Sequence, residues 1–140
     1  MEKAQPRLVD HEMRLPDGRR LSWRESGDPS GHPLIALHGL PGSRLKFDVA
    51  GEHARQLGFK IVAPDRWGYG HTDVHPNPTF PNFAADMLAL ADAVGATGFA
   101  VMGVSGGGPY AVALATLAPQ RVTATALIAP VGPIAGEGAL

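Results

Sequence analysis

From residue 34 onward, hydrophobic residues fall into short, nearly continuous runs separated by longer amphipathic stretches. The runs cover residues 34–37, 61–63, 99–104 and 124–129. Apolar runs of this length without polar alternation are typical of strands covered on both faces, which is the usual situation in a parallel sheet. We therefore predict four buried parallel strands.

The stretches between these runs have the period of amphipathic helices. The first two apolar stripes consist of Phe47, Ala50, Ala54 and Leu57, and of Phe80, Phe83, Ala84, Met87, Ala91 and Val94. Gly58 follows the first stripe at a position where glycine commonly ends a helix. Thr79 is placed to cap the second, with Pro81 in its first turn. The third stretch, residues 107–117, is rich in alanine and ends before Pro119. Alternating strands and helices predict an α/β fold.

The beginning of the chain shows polar and apolar alternation instead. Residues 11–15 and 20–26 alternate in this way, and Leu21, Trp23 and Glu25 fall on one face of the second segment. The intervening residues 16–18 read Pro-Asp-Gly, which favours a tight turn. We predict a solvated antiparallel hairpin that precedes the parallel sheet, with residues 1–140 belonging to a single domain.

Composition narrows the range of functions. The length of 140 residues suits one domain, and a hydrophobic content of 44% is enough to bury a core. The net charge is −1 and the 12 basic residues are scattered, so a nucleic-acid partner is not expected. No stretch approaches the length of a membrane helix and the first ten residues do not resemble a secretory signal, so we expect a soluble protein without a membrane partner. The absence of cysteine fits a cytoplasmic location and excludes a thiolate nucleophile.

Glycine and polar residues follow three of the predicted buried strands. Residues 38–43 read H-G-L-P-G-S, residues 65–73 read D-R-W-G-Y-G-H-T-D, and residues 103–108 read G-V-S-G-G-G. Ligands of open α/β sheets bind at the carboxyl ends of the strands. We therefore expect these three segments to form the functional site.

The third segment contains the pattern G-x-S-x-G centred on Ser105. Directly after a buried strand and before a helix, this pattern is typical of a nucleophile elbow, a sharp turn that exposes the serine hydroxyl. A dinucleotide-binding turn is disfavoured, because Ser105 stands where that motif needs glycine and the next acidic residue is Glu137. The remaining alternative is a serine that caps the helix.

Together, the three motifs and the leading L-P-D-G turn resemble the α/β-hydrolase superfamily in order and spacing. The resemblance covers nearly the whole chain. It implies the amino-terminal half of that fold: a hairpin followed by a βαβαβαβ parallel sheet, without the lid and the later strands. It also implies that Ser105 is the nucleophile and that the backbone N–H groups of Leu40 and Gly106 form the oxyanion hole, an arrangement that agrees with the expected turn.

The resemblance implies hydrolysis of a small ester or related acyl compound through an acyl-enzyme, with no cofactor and no metal. Epoxide hydrolases and haloalkane dehalogenases carry aspartate at the elbow, so Ser105 disfavours those branches. Serine esterases, C–C bond hydrolases, cofactor-free haloperoxidases and proline iminopeptidase-like enzymes all stay open. The substrate class is a small molecule in each case.

The triad of this fold runs in the order serine, acid, histidine. After Ser105 the sequence contains a single acidic residue, Glu137, and all six histidines precede the nucleophile. We therefore expect the chain to be the amino-terminal portion of a longer hydrolase, with the triad acid and histidine outside it. The alternative is a catalytically inert fragment or pseudo-enzyme that acts as a binding or assembly module. In either case the exposed edge of the strand at residues 124–129 is expected to promote self-association.

The other polar residues of the three segments are expected to support the loops. In the family, a histidine at the position of His38, before Gly39, is structural. Asp65 and Arg66 are expected to brace their loop, because carboxylates and guanidinium groups form strong paired hydrogen bonds. His71 and His75 lie among glycines and prolines and are interpreted as rim residues rather than metal ligands. Surface positions are expected for His11, His32 and His53. Trp67, Tyr69 and Phe80 fit an apolar pocket and core packing equally well.

Overall fold

A six-stranded mixed sheet organises the chain. The computed structural model describes residues 7–133 and 135–136. The strands are β1 (Val9–Arg14), β2 (Arg20–Gly27), β3 (His32–Leu37), β4 (Phe59–Pro64), β5 (Phe99–Val104) and β6 (Val122–Ile128). The helices are α1 (Gly51–Gln56), which continues a 3-10 helix over Arg44–Ala50, then α2 (Phe80–Ala93), and α3 (Gly108–Leu117), which follows a 3-10 turn over Ser105–Gly107.

The strand order β1-β2-β4-β3-β5-β6 brings the three predicted motifs to one edge of the sheet. Strand β3 lies between β4 and β5 and is parallel to both. Strand β6 continues the parallel part beyond β5. The carboxyl ends of β3, β4 and β5 are therefore neighbours, and the predicted α/β fold is confirmed.

The hairpin is confirmed as antiparallel, but its predicted solvation is wrong for the second strand. Strand β2 pairs with β1 on one side and with β4 on the other. Its residues Leu21, Ser22 and Trp23 are buried. The Ser22 hydroxyl bonds Asp65 and Thr72 in the loop after β4, so a polar residue in this alternating segment is buried rather than solvated. Only β1 alternates between half-buried and exposed positions.

The last strand also differs from the prediction. It covers Val122–Ile128 rather than residues 124–129, and its residues from Thr123 onward are exposed. Strand β6 pairs with β5 along one edge, and within the described residues no strand pairs with its other edge. An apolar run identifies a strand, but it does not show whether anything covers that strand.

The helices follow the predicted stripes with differences at their ends. Thr79 caps α2 as predicted, with its Oγ1 accepting a hydrogen bond from the Asn82 N–H at 3.3 Å. Gly58 follows α1 with a φ of +73°. Leu57 and Phe80, the end members of their stripes, are exposed. Phe47, at the start of the first stripe, is buried, so exposure is confined to one end of each stripe.

Two apolar clusters cover the two faces of the sheet. The larger joins α2 and α3 to the central strands through residues that include Phe83, Met87, Leu90, Phe99, Val101 and Leu114. The smaller lies on the opposite face and consists of Ala36, Phe47, Ala54, Ile61 and Ala63. Alternate residues of β3 face opposite clusters, so this strand is buried on both sides. Packing in the core therefore fixes the position of β3, whose carboxyl end carries the first motif.

The buried carboxylate of Asp65 joins three segments at the edge of the sheet. It accepts hydrogen bonds from the Ser22 hydroxyl at 2.7 Å, the Arg44 N–H at 2.7 Å and the His71 N–H at 3.0 Å. The Arg44 guanidinium adds an ion pair at 2.9 Å. A Cβ at Gly70, which has a φ of +50°, would collide with this carboxylate. Burial raises the pKa of Asp65, but the hydrogen bonds outweigh that effect and hold it below its ordinary value.

Because Asp65 holds these loops, we predict that Asp65→Asn lowers the free energy of unfolding by about 3 kcal/mol. The side-chain NH2 group of the variant would face hydrogen-bond donors at a position where the Asp65 carboxylate accepts hydrogen bonds. The stabilisation by Asp65 is complete above the unfolded pKa of about 3.9 and is lost as the pH falls toward the lower folded pKa. Urea unfolding between pH 2 and 7 measures both effects. The exposed pair of Asp92 with Arg121 provides the control, and Asp92→Asn should change stability little. Equal losses in the two variants would contradict the prediction.

Candidate active site

Ser105 lies in the sharp turn between β5 and α3. Its φ is +49°, in the left-handed region that residues with a side chain rarely adopt. The turn depends on glycine, because a Cβ at Gly103 would lie 2.6 Å from the Gly107 carbonyl oxygen and a Cβ at Gly107 would collide with the Leu37 carbonyl. The Ser105 side chain is half-buried, and its hydroxyl makes no hydrogen bond to any residue that the structure describes. It is available to an incoming molecule.

The loop after β3 packs directly against this turn. A Cβ placed on Gly106 would lie 3.4 Å from the Leu40 Cβ and 3.6 Å from the Leu40 amide nitrogen. A Cβ placed on Gly39 would lie 3.1 Å from the Ser105 Cβ. The peptide bond between Leu40 and Pro41 is cis. The backbone segments at Leu40 and Gly106 are thus adjacent beside Ser105.

The two peptide groups that contain the Leu40 and Gly106 N–H are both hydrogen-bonded through their carbonyl oxygens. The Gly39 carbonyl, which shares a peptide group with the Leu40 N–H, lies 2.8 Å from His38 Nδ1. The Ser105 carbonyl, which shares a peptide group with the Gly106 N–H, accepts the Val131 N–H at 3.1 Å. A hydrogen bond to a peptide carbonyl polarises the group and strengthens its N–H as a donor. The turn and the loop after β3 therefore each contribute one polarised amide.

His38 is buried and is engaged at both ring nitrogens. Its Nε2 accepts the Arg66 N–H at 3.0 Å, so we assign the ring proton to Nδ1, which donates to the Gly39 carbonyl. Burial is the main cause that lowers the pKa of His38, and the nearby Arg66 guanidinium lowers it further. The Tyr69 ring packs edge-on against the imidazole at 5.0 Å. A neutral imidazole with both nitrogens engaged has no position left for a proton from Ser105.

Arg66 does not have the carboxylate partner that the sequence led us to expect. Asp65 pairs with Arg44 instead, because the buried end of β4 turns its side chain toward the loop after β3. The Arg66 guanidinium donates to the Gly106 carbonyl at 2.8 Å and lies 4.7 Å from the Tyr110 ring centre and 5.4 Å from that of Tyr69. Arg66 therefore contacts the elbow rather than its neighbour in sequence.

A cleft of about 280 Å³ opens beside the elbow. The residues that line it are Leu40, Arg66, Trp67, Tyr69, Phe83, Gly106 and Tyr110. The aromatic residues Trp67 and Tyr69 thus line a cavity, whereas Phe80 borders a neighbouring hollow of about 350 Å³. Four aromatic residues and one arginine therefore meet at one opening, beside Leu40 and Gly106.

Sequence reasoning missed Tyr110 and the support behind Trp67. The Trp67 Nε1–H donates to Asp86 at 2.8 Å, and Arg19 holds the same carboxylate through two hydrogen bonds at 2.8 and 2.9 Å. Asp86 lies three residues after Phe83 on the apolar stripe of α2. An acidic residue within such a stripe is a signal for a buried polar partner, because burial of an unpaired charge is costly.

Among the described residues, no hydrogen bond joins Ser105 to any of the remaining histidines. His71 Nδ1 is 3.2 Å from a Glu12 carboxylate oxygen, and the His75 ring packs on Trp67 at 4.7 Å. His53 is exposed, as expected, but His11 is half-buried and stacks on Trp23 at 5.1 Å, so it is not a simple surface residue. Across residues 7–133 and 135–136, no group of three metal-binding side chains is present. None of the described helices has the length and apolarity needed to cross a bilayer.

Known proteins share this architecture. A proline iminopeptidase from Xylella fastidiosa is 34% identical over 110 residues, which are 76% of this chain and 35% of that protein. A non-heme chloroperoxidase from Streptomyces lividans is 31% identical over 121 residues, 84% of this chain and 44% of that protein. The solved structure of an epoxide hydrolase superposes with a TM-score of 0.82 at 24% identity, over 94% of this chain and 46% of that one, a likeness of fold alone.

The chain spans less than half the length of these three proteins. Residues 32–137, which contain all three motifs at the carboxyl edge of the sheet, match the family model for the alpha/beta hydrolase fold. On this match, the chain belongs to the α/β-hydrolase fold family.

Proposed function

We propose that Ser105 is the nucleophile of a serine hydrolase that acts on a small ester or related acyl compound. The observation that carries the proposal is the strained backbone of Ser105, held with its hydroxyl free beside the amides of Leu40 and Gly106. Backbone strain at a well-packed position is typical of functional sites. A serine that only capped the helix would need neither the positive φ nor the adjacent loop.

In the proposed reaction, the Ser105 Oγ attacks the carbonyl carbon and its proton passes to a general base. The carbonyl electrons move to the oxygen, and the Leu40 and Gly106 N–H groups stabilise this oxyanion. The C–O bond to the alcohol breaks as the alcohol takes the proton from the base, which leaves an acyl group on Ser105. Water then attacks the acyl-enzyme, and the acid and the free serine are released.

The general base of this proposal is a histidine that follows the nucleophile, in the order that this fold uses. Residues 106–140 contain no histidine. Among the histidines before Ser105, His38 is unsuitable because both its nitrogens are engaged. The proposal therefore assigns to this chain the nucleophile and the oxyanion donors, and assigns proton transfer to residues outside it.

His38 has a separate place in the proposal as a positioning residue. Its Nδ1–H bonds the Gly39 carbonyl and so orients the peptide group that carries the Leu40 N–H. Only the neutral imidazole can donate at Nδ1 and accept at Nε2 at once. Burial lowers the pKa of His38 and so favours that form.

We predict little or no esterase turnover from the 140-residue chain, but acylation of Ser105 when imidazole supplies the missing base. With 4-nitrophenyl acetate, peptide mapping by mass spectrometry should find the acetyl group on Ser105 at least about tenfold more than on the exposed Ser30, because an oxyanion hole contributes 10²-fold or more. Ser105→Ala should abolish this acylation, and Ser30→Ala should not change it.

Two outcomes would change the assignment. Acetylation spread evenly over the serines would contradict the role of Ser105 and favour a binding or assembly module. Rapid turnover without imidazole that Ser105→Ala abolishes would show that an upstream histidine such as His71 acts as the base.

For His38, we predict that His38→Phe lowers the free energy of unfolding by about 2–4 kcal/mol, because two buried polar groups lose their partners. His38→Asn keeps a donor for the Gly39 carbonyl, so it should retain more of the imidazole-dependent acylation of Ser105 than His38→Phe does. Acylation is measured at a temperature where each variant is folded. Equal acylation by wild type and His38→Phe would contradict the positioning role.

The lowered pKa of His38 also has a thermodynamic consequence. Below about pH 6.5 the unfolded histidine is protonated to a greater extent than the folded one, so the stability contribution is complete above that pH and declines as the pH falls toward the lowered folded pKa. The unfolding free energy of wild type should therefore fall more than that of His38→Asn between pH 7 and 5.

We also propose that the free edge of β6 pairs with β6 of a second copy. Seven residues of this strand carry no charge and no proline, and Leu127 and Ile128 are 43% and 49% exposed. Such an edge offers unpaired backbone groups to another chain. Charged side chains on edge strands normally oppose this pairing.

Sedimentation velocity at micromolar concentrations should therefore find the chain self-associated. We predict that Thr125→Lys, which introduces a charge at the centre of β6, shifts it toward monomer, and that Thr97→Lys, outside β6, does not. A wild-type monomer with cooperative unfolding would contradict this proposal.

A further inference from the structure

We propose that Arg66 forms a subsite for a carboxylate carried by the substrate. The inference rests on the proposed function, since it deepens the description of the cleft beside Ser105. It narrows the substrate to a small ester with a second, anionic end. The guanidinium, the aromatic rings around it and the distance to the elbow support it independently of one another.

The first observation is a guanidinium that lacks a counter-ion. Arg66 is only 7% exposed, and no carboxylate lies within ion-pair distance of it among the described residues. Among the described residues, the guanidinium makes one hydrogen bond, from a terminal nitrogen to the Gly106 carbonyl, and its Nε is buried without a partner. Burial of a charge without a partner is costly, so such a group is unusual unless a ligand completes it.

Other arginines near this edge of the sheet are paired. Arg19 holds Asp86, Arg24 holds Asp10 and Arg44 holds Asp65, each with an N–O distance of 2.8 or 2.9 Å. The side chains of Arg19 and Arg44 are each 11% exposed, so each of these two poorly exposed arginines is paired with a carboxylate of this chain. Arg66 departs from this pattern, and it is the one that borders the cleft.

The second observation is the surroundings of the guanidinium. The Tyr110 ring centre lies at 4.7 Å and that of Tyr69 at 5.4 Å. Both rings also border the cleft. Aromatic faces stabilise a cation without neutralising it and hold its plane in place. The group is therefore oriented, still carries its full charge, and faces a space of about 280 Å³.

The third observation is the distance from the elbow. Because the guanidinium donates to the Gly106 carbonyl at 2.8 Å, it lies within roughly 6 Å of the Gly106 amide nitrogen by covalent geometry. A carboxylate on Arg66 and an ester carbonyl at the Leu40 and Gly106 amides would thus belong to one short molecule. A monoester of a short dicarboxylic acid has these two groups at such a spacing. Guanidinium groups bind carboxylates through charge-assisted hydrogen bonds, and the terminal nitrogen that does not bond Gly106 is the donor available for one.

The test measures binding and does not need turnover. Monomethyl glutarate is titrated into the chain and the fluorescence of Trp67, which borders the cleft, reports occupancy. Dimethyl glutarate is the neutral control of the same length. We expect the monoester to bind at least about tenfold more tightly than the diester, as for a hydrogen-bonded ion pair. Equal affinities in wild type would overturn the proposal, whatever happens in the variants.

Variants locate the site. Arg66→Gln should weaken binding of the monoester about tenfold or more and leave the diester unchanged, and Arg66→Lys should fall between Gln and wild type because it keeps the charge but not the planar guanidinium. Arg14→Gln removes the same charge from an exposed position on β1 and should have no effect. A similar loss in Arg14→Gln would point to non-specific attraction and overturn the subsite.

Two further measurements separate this proposal from the role of Ser105. Ser105→Ala should bind monomethyl glutarate as wild type does, so the carboxylate subsite is tested even if Ser105 is not the nucleophile. If Ser105 is acylated with imidazole but the monoester does not bind, the subsite alone is wrong. Displacement of the monoester by equal concentrations of sodium chloride would show an unspecific anion site and would also overturn it.

Discussion

The close approach of the loop after β3 to the elbow after β5 is the constraint on which the rest of the site depends. It requires positions where no side chain fits. A Cβ at Gly107 would meet the Leu37 and His38 carbonyl oxygens, and a Cβ at Gly39 would meet Ser105. Because β3 and β5 are neighbours in the sheet, the two turns arrive side by side, and the absence of side chains lets their peptide groups converge. The strand order and the glycines therefore act together to build a pair of adjacent amides.

Much of this arrangement could be predicted from the sequence because it depends on local chemistry. Buried runs identified β3, β4 and β5, and the glycine motifs that follow them identified the edge where the site lies. The conformation of Ser105 follows from the same local pattern, since only a turn of this kind needs glycine on both sides. The chemical roles of Ser105, Leu40 and Gly106 stay predictions.

The parts that the sequence did not predict depend on contacts between distant segments. The partner of Asp65 is Arg44, which lies 21 residues away in the chain, and not the adjacent Arg66. Asp65 and Arg66 lie in the loop after β4, and their side chains contact different segments: Asp65 bonds Arg44, and Arg66 bonds the Gly106 carbonyl. Sequence proximity was therefore a poor guide to pairing there. The exposure of β6 and the burial of β2 have a similar origin. A hydrophobic pattern describes one strand, whereas burial depends on which strands and helices lie next to it.

The charge at the site depends on which ionisable groups are paired and which are neutral. His38 lies next to Arg66, accepts its backbone N–H and is kept neutral by burial and by the guanidinium itself. Protonation of His38 would break that hydrogen bond and place two positive charges together in a poorly solvated region. A neutral His38 leaves the Arg66 guanidinium as the uncompensated charge on the cleft. The same low solvation that disfavours a second cation strengthens the attraction of the first one for an anion. Thus His38, which bonds the Gly39 carbonyl beside the Leu40 amide, also leaves the positive charge of Arg66 unopposed in the cleft. The geometry of the proposed oxyanion hole is in this way linked to the choice of substrate.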